Sequence, residues 1–263
     1  MGSATRGALE SARTALTSAR NIDLAAGEQL LAAARAIGSS AQLLSALSNP
    51  SASAAGTSAL IDTVFSELDT PARELLRMMV AFRWSSGDDL LAGIEEIGIR
   101  AIAATTSTPG VIEAELCEFG RAVTSHADLE LAIGSKRGTA ASKLTLVTDL
   151  LGRRASAHTL AIAEHLVQQP RGRRIGELVR SATATVADTS GKGVATVTVA
   201  RAMTETQWAD VAASIARRYG REHVINQVID TALIGGVRVQ VGDEVIDGSI
   251  AARLADLKLQ LAN

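Results

Sequence analysis

The side chains able to do chemistry are few in this chain, and they are scattered. Gly191-Lys192-Gly193 places a lysine between two glycines, an arrangement that cradles phosphate when Ser or Thr follows the lysine and a further glycine stands upstream. Both of those are missing, so the segment reads as a plain hairpin turn. The four histidines, His126, His158, His165 and His223, fall on expected helices or a strand edge. His158 and His165 lie two helical turns apart and share a face, yet no carboxylate at i+4 completes a metal site. Cys117 is the single cysteine, which excludes an internal disulfide and a cysteine-based metal cluster and fits a reducing compartment. Neither a Gly-x-Ser-x-Gly elbow nor a glycine-rich dinucleotide fingerprint occurs. The expected catalytic, cofactor-binding and metal-binding residues are therefore none.

Charge is the remaining chemical signal. From Ser85 to Phe119 there are seven acidic residues and one basic; from Lys136 to Arg180 there are nine basic and three acidic. The Arg171-Gly172-Arg173-Arg174 cluster suits phosphate backbones, so a helical nucleic-acid-binding protein using the basic 136–180 face is the alternative reading. The competing accounts are a solvated helix face and a surface for an acidic protein partner. No aromatic residue is present there to stack on a base, which argues against nucleic acid.

The elements that must position these residues are mostly helices. Of 263 residues, 47% are hydrophobic and only 2% aromatic. The core must be built from Ala, Leu, Ile and Val, and small side chains let helix axes approach closely. The opening MGSATRGALE lacks the pattern of a secretory signal. The uncharged run from Ala36 to Ile61 is broken by Ser, Thr, Asn, Gly and Pro, which argues against a membrane span. A soluble cytosolic chain is expected, meeting a membrane only through partners. Ala8, Leu9, Ala12 and Leu16 recur at helical spacing. Asp23 is a candidate N-cap for a run to Ile37, and Asn49-Pro50 ends a short helix. Pro71 sits in the first turn of another helix, and Asp88 opens one that runs to Ala104. Thr108-Pro109-Gly110 is the clearest break.

The segment after that break resembles the segment before it. Shifted by about 86 residues, Arg35-Ala36-Ile37 lies on Arg121-Ala122-Val123, Leu43 on Leu129, Ala54-Ala55 on Ala140-Ala141, and Leu60-Ile61 on Leu146-Val147, the mark of an internal duplication. Chance matching of Ala-rich helices is the other reading; the kept register and break positions favour duplication. Past residue 180 the pattern turns to β-branched alternation. Thr183 to Val186, Val194 to Val199 and Val224 to Val228 read as strands, with a helix entered through a Thr204–Gln207 capping box between the last two. Val237 to Val241 and Glu244 to Ile246 form a hairpin about Gly242-Asp243. Ser249 caps a last helix carrying Ile250, Leu254, Leu257 and Leu261. The expected fold is mainly α: a helical bundle over 1–108, a repeat-like helical segment over 109–180, and a small α+β domain over 181–263.

The most specific stretch runs from Leu233-Ile234-Gly235-Gly236 through Gly242-Asp243 and Ile246-Asp247-Gly248-Ser249 to Arg253-Leu254. It resembles the C-terminal signature of the F-type ATP synthase delta subunit, the oligomycin-sensitivity-conferring protein family. The opening helix, with Gly7-Ala8-Leu9 and Ala12, is similar to that family's first helix, although Ala4-Thr5 replaces its frequent Tyr-Ala pair. The chain is longer than the common form by about one bundle, and so resembles the enlarged subunit of high-GC Gram-positive bacteria. The resemblance implies a non-catalytic stator subunit of the peripheral stalk, at the cytoplasmic face of the plasma membrane. Its implied partners are the N-terminal helices of the alpha subunits and the C-terminal region of subunit b, with no small-molecule substrate. Ala8, Leu9, Ala12 and Leu16 are the candidate contacts to the alpha subunits.

Overall fold

The computed structural model describes residues 2–134, 138–152, 155–250 and 254. Two compact units divide at Val186/Ala187. The first holds α1 (Ser3–Ser18), α2 (Leu24–Ser39), α3 (Ala41–Leu47), α4 (Ala54–Val64), α5 (Thr70–Ala81), α6 (Gly87–Ala104), α7 (Val111–Thr124), α8 (Ala127–Gly134), α9 (Ala140–Leu151) and α10 (Ala157–Gln168); α11 (Ile175–Thr189) contains the division. Most of these helices begin where a short polar side chain takes up a free backbone N–H. Asp23 accepts from Ala26, Ser40 from Leu43, Ser53 from Gly56, Ser86 from Asp89, Thr139 from Ser142 and Ser156 from Thr159. Such a cap contributes about 1 kcal/mol. No single helix among the described residues is long and apolar enough to cross a membrane.

The helix boundaries carry the 86-residue offset. Moved by 86, the ranges of α1 to α6 land on those of α6 to α11, every end within two residues. Buried positions obey the same shift: Ala8 and Ile94, Leu30 and Leu116, Ile37 and Val123, Ile61 and Val147, Leu76 and Ile162 are all core residues. Two six-helix bundles result, and they share α6. Leu30, Ile37, Ile61, Leu76 and Ile94 belong to one core, while Leu116, Phe119, Val147 and Ile162 belong to a second that also takes in Leu31, Ile99 and Ile102. The break at residues 108–110 therefore separates two helices, α6 and α7, but not the two cores.

A helix that serves two cores must be apolar on nearly every side. In α6, Leu90, Leu91, Ile94, Ile97, Ile99 and Ile102 are all buried. α2 lies against it at a small-residue crossing. A Cβ added at Gly27 would stand 2.5 Å from Ile102 Cγ1, 3.0 Å from the Ile102 amide nitrogen and 3.2 Å from the Gly98 carbonyl oxygen.

The second unit holds β1 (Gly193–Val199), α12 (Glu205–Tyr219), β2 (His223–Ile229), β3 (Val237–Val241) and β4 (Glu244–Asp247) in a sheet of order β2-β1-β3-β4. β1 and β2 run parallel across the α12 connection, and β3 and β4 are antiparallel neighbours. Thr204 and Gln207 form the expected capping box. Ala195, Val197 and Val199 pack on Ile215, with Val211, Tyr219 and Val239 around them.

Two local expectations are corrected. Thr183 to Val186 is helix, not strand: it continues α11, where Thr183 donates to the Val179 carbonyl and Ala182 and Val186 enter the second helical core. Burial of one face at helical spacing outweighs β-propensity, which spans only ~1 kcal/mol. The turn at Gly191-Lys192-Gly193 is likewise not a hairpin. Lys192 N–H donates to the Ala187 carbonyl and Gly191 N–H to that of Asp188, with Gly191 at φ +73°. That is a Schellman stop to α11. The terminal helix read beyond Ser249 lies, apart from Ile250 and Leu254, outside the described residues.

Because backbone atoms line the Gly27 contact, side-chain rotation cannot relieve it. Gly27→Ala is expected to lower stability by about 1–3 kcal/mol. Urea unfolding followed by helical circular dichroism checks this; an unchanged midpoint would refute the close crossing.

Candidate functional site

The first bundle opens on one side between α1 and α5. A groove of about 500 Å³ is lined by Ala15 and Ser18 of α1, by Ala19, Arg20 and Asn21 just after it, and by Thr70, Pro71, Glu74, Leu75 and Met78 of α5. Its floor is small and aliphatic, and Met78 is 38% exposed. The four α1 residues chosen from sequence lie mostly behind this surface: Ala8, Leu9 and Ala12 are buried, and Leu16 is half-buried. They hold α1 in place, and the residues one turn further on line the groove. The available signal is Met78, an apolar side chain outside the buried face of α5 that holds Leu75, Leu76, Met79 and Val80.

Two of the three arginines in the basic cluster are engaged, while Arg174 is exposed. Arg171 Nη2 lies 2.9 Å from Glu95 Oε2, and Arg173 Nη2 lies 3.0 Å from both Glu95 oxygens. His165, fully buried, places Nε2 3.3 Å from Glu95 Oε2, while Arg35 Nη1 sits 3.1 Å from its Nδ1. An arginine can only donate, so Nδ1 accepts and the ring proton sits on Nε2, aimed at Glu95. His165 is thus a neutral bridge between α6 and α10. Burial lowers its pKa, and the Glu95 hydrogen bond only partly opposes this. Burial alone would raise the Glu95 carboxyl; the His165 hydrogen bond and the charges of Arg171 and Arg173 override it and bring it to about 2. The shared face read for His158 and His165 is the one turned to α6, since His158 Nε2 lies 3.1 Å from Thr105 Oγ1. His126 is exposed at the start of α8, and His223 packs its ring against Tyr219 at the head of β2. No group of three or more His, Cys, Asp or Glu able to hold a metal occurs among the described residues.

In the second unit the C-terminal signature closes the hairpin on itself. Gly236, at φ +86°, passes so near the exit of β4 that a Cβ would stand 2.5 Å from the Gly248 carbonyl oxygen and 2.8 Å from the Ser249 Cα. Gly248 N–H donates to the Val237 carbonyl and Ile250 N–H to that of Gly235. Asp247 accepts from Ser249 N–H at 2.9 Å and from Arg238 Nε at 3.1 Å. Gly242 and Asp243 form the two-residue turn between β3 and β4, Ile246 pairs with Val239, and Leu233 and Ser249 are buried. Ile234 is 76% exposed, and Leu254 is exposed as well. Arg253 lies outside the described residues.

A family model described as ATP synthase delta (OSCP) subunit matches residues 99–261. The match begins within α6, so it takes in the end of that helix, α7 to α11 and the C-terminal unit to residue 261. The chain is similar to an ATP synthase subunit delta of Leifsonia xyli, 45% identical over 263 residues and 100% of each chain. It is also similar to an ATP synthase subunit delta of Streptomyces avermitilis, 35% identical over 254 residues, 95% of this chain and 93% of that one. Among solved structures it matches a chain of the Toxoplasma gondii mitochondrial ATP synthase hexamer at 18% identity and a TM-score of 0.39, covering 64% of this chain and 96% of that one.

Glu95→Gln leaves two arginines facing a neutral amide in a nearly dry site, and a loss of about 3–5 kcal/mol is expected on chemical denaturation. The folded carboxyl at about 2 lies below the ~4.3 of an unfolded glutamate. Its contribution is therefore whole above the unfolded value and lost as pH falls toward the folded one. The parent chain should lose more stability than Glu95→Gln between those limits; equal losses would refute the pairing. Separately, Gly236→Ala adds a Cβ at positive φ against backbone, at a cost of roughly 1–3 kcal/mol. Hydrogen exchange in β3 and β4 should accelerate while α2 and α6 stay protected.

Proposed function

The chain belongs to the ATP synthase delta (OSCP) subunit family, and from that premise we propose that it is a non-catalytic subunit of the peripheral stalk. It joins the N-terminal helices of the alpha subunits in the catalytic head to the C-terminal region of subunit b. It stands at the cytoplasmic face of the plasma membrane and meets the membrane only through the complex. Its task is mechanical: the turning central shaft drags on the head, and the stalk keeps the head from turning with it during proton-driven ATP synthesis.

The observation that carries this reading is the α1–α5 groove. Ala15, Ala19, Pro71 and Met78 offer small and aliphatic contacts above the buried Leu75, with Ser18, Arg20, Asn21, Thr70 and Glu74 completing the lining. Such a surface suits the apolar face of an amphipathic helix laid lengthwise. A stator interface needs slow dissociation rather than turnover, and dissociation rate is where interface side chains act most. Two of the arginines that suggested a nucleic-acid face, Arg171 and Arg173, point instead at Glu95, which weakens that alternative.

A synthetic peptide copying the N-terminal helix of the same organism's alpha subunit should bind the full chain saturably in calorimetry. Met78→Glu should weaken it by about tenfold or more, since ~1.4 kcal/mol is tenfold in affinity. Absence of binding to the parent chain would overturn the reading, and so would indifference to the substitution.

A further inference from the structure

The sheet of the C-terminal unit has two outer strands, and only one of them is blunted. β4 is short and carries Glu244 and Asp247 at its ends. β2, from His223 to Ile229, contains no Lys, Arg, Asp, Glu or Pro. Those are the residues by which proteins keep an outer strand from pairing with another chain. The bonds at the two ends of the β1–β2 ladder fix which backbone groups β2 turns outward. Gly193 N–H donates to the Glu222 carbonyl, and Asp230 N–H donates to that of Val199. In a parallel ladder alternate residues face the neighbouring strand, so Val224, Asn226 and Val228 bond to β1. His223, Ile225, Gln227 and Ile229 point their N–H and C=O groups away from it, and no hydrogen bond among the described residues takes them up. Two side chains of the strand add to this. Gln227 lies on the α12 side of the sheet beside Val197, and its Nε2 is buried without a hydrogen-bond partner among the described residues. Ile229, on the same side, is 57% exposed.

We propose that β2 is a self-pairing edge: two copies of the chain join β2 to β2, antiparallel, in one continuous sheet with the two-fold axis at Gln227. Such an interface uses the same patch on both copies, and the outward backbone groups must face each other, which leaves few registers. Centred on Asn226, the pairing sets Glu222 against Asp230, two carboxylates. Centred on Ile225, it sets the exposed Ile229 against Arg221. Centred on Gln227, it sets Ile225 against Ile229 and the two Gln227 amides against each other. Each amide then donates to the other's side-chain oxygen, which supplies the acceptor that Nε2 lacks, and Ile229 is covered by an aliphatic side chain. Ile225, Gln227 and Ile229 each exchange both backbone bonds with the residue they face. No charge is buried. The pairing uses the C-terminal unit alone and is independent of any helix that the first bundle docks.

The full chain is its own probe. Sedimentation velocity should show a monomer in dilute solution and a dimer as concentration rises. Gln227→Lys sets two ammonium groups against each other at the axis and should weaken the dimer by about tenfold or more. Its circular dichroism should match the parent's, since the bonds from β2 to β1 are untouched. In a Cys117→Ser background, Gln227→Cys should form a disulfide between two chains under mild oxidation. Facing Cα atoms in such a pair stand about 5.5 Å apart, within disulfide reach. Asn226→Cys, on the other side of the sheet and off the axis, should link far more slowly. A parent chain that stays monomeric at the highest concentration reached sinks the proposal. So does a dimer that Gln227→Lys leaves unchanged, and so does Asn226→Cys linking as fast as Gln227→Cys. If Gln227→Lys does not fold, the two cysteine variants decide.

Discussion

The close crossing of α2 and α6 is the constraint on which the helical unit depends. Gly27 and Gly98 remove two side chains at the contact, so Leu31 and Ile102 reach past it into the second core while Leu30 and Ile94 fill the first. Dispersion and burial both fall off steeply with separation. A wider crossing would strip both cores of contacts at once. One helix can serve two bundles only if its neighbour lies this near, and only if nearly every face is apolar.

That arrangement buries two charged residues, Glu95 and Arg100, on a helix enclosed by both bundles; Arg100 pairs with Glu96 one turn away, and Glu95 must find its partners on other elements. An isolated carboxylate there would cost several kcal/mol. The chain answers with two arginines from the α10–α11 connection and a neutral histidine from α10, all from the second bundle. This ion cluster thus joins the bundles and is spent internally. The groove that the first bundle leaves between α1 and α5 mixes small and aliphatic residues with Ser18, Arg20, Asn21, Thr70 and Glu74.

Much of the fold is legible in the sequence. Asp23, the Thr204–Gln207 pair, Pro71 and the breaks at 49–50 and 108–110 lie where the helices start and stop. The two-residue turn at Gly242-Asp243 stands in its expected register. Thr183 to Val186 misleads because its β-branched residues alternate locally, while the burial that makes it helical comes from neighbours far along the chain. The groove lies one turn beyond the residues that periodicity selects. Periodicity finds the face of α1 that is apolar, and that is the face the bundle itself consumes.

The sequence by itself determined most helix ends and the hairpin turn, because caps and turns are set by residues within a few positions of one another, and the repeat and the family, because both are matches of residue pattern along the chain. The tertiary structure alone decided that α6 belongs to two bundles and that Arg171 and Arg173 face Glu95. Each of those outcomes is a competition for the same surface between side chains about 70 or more positions apart. No local pattern records which of them arrives first in space.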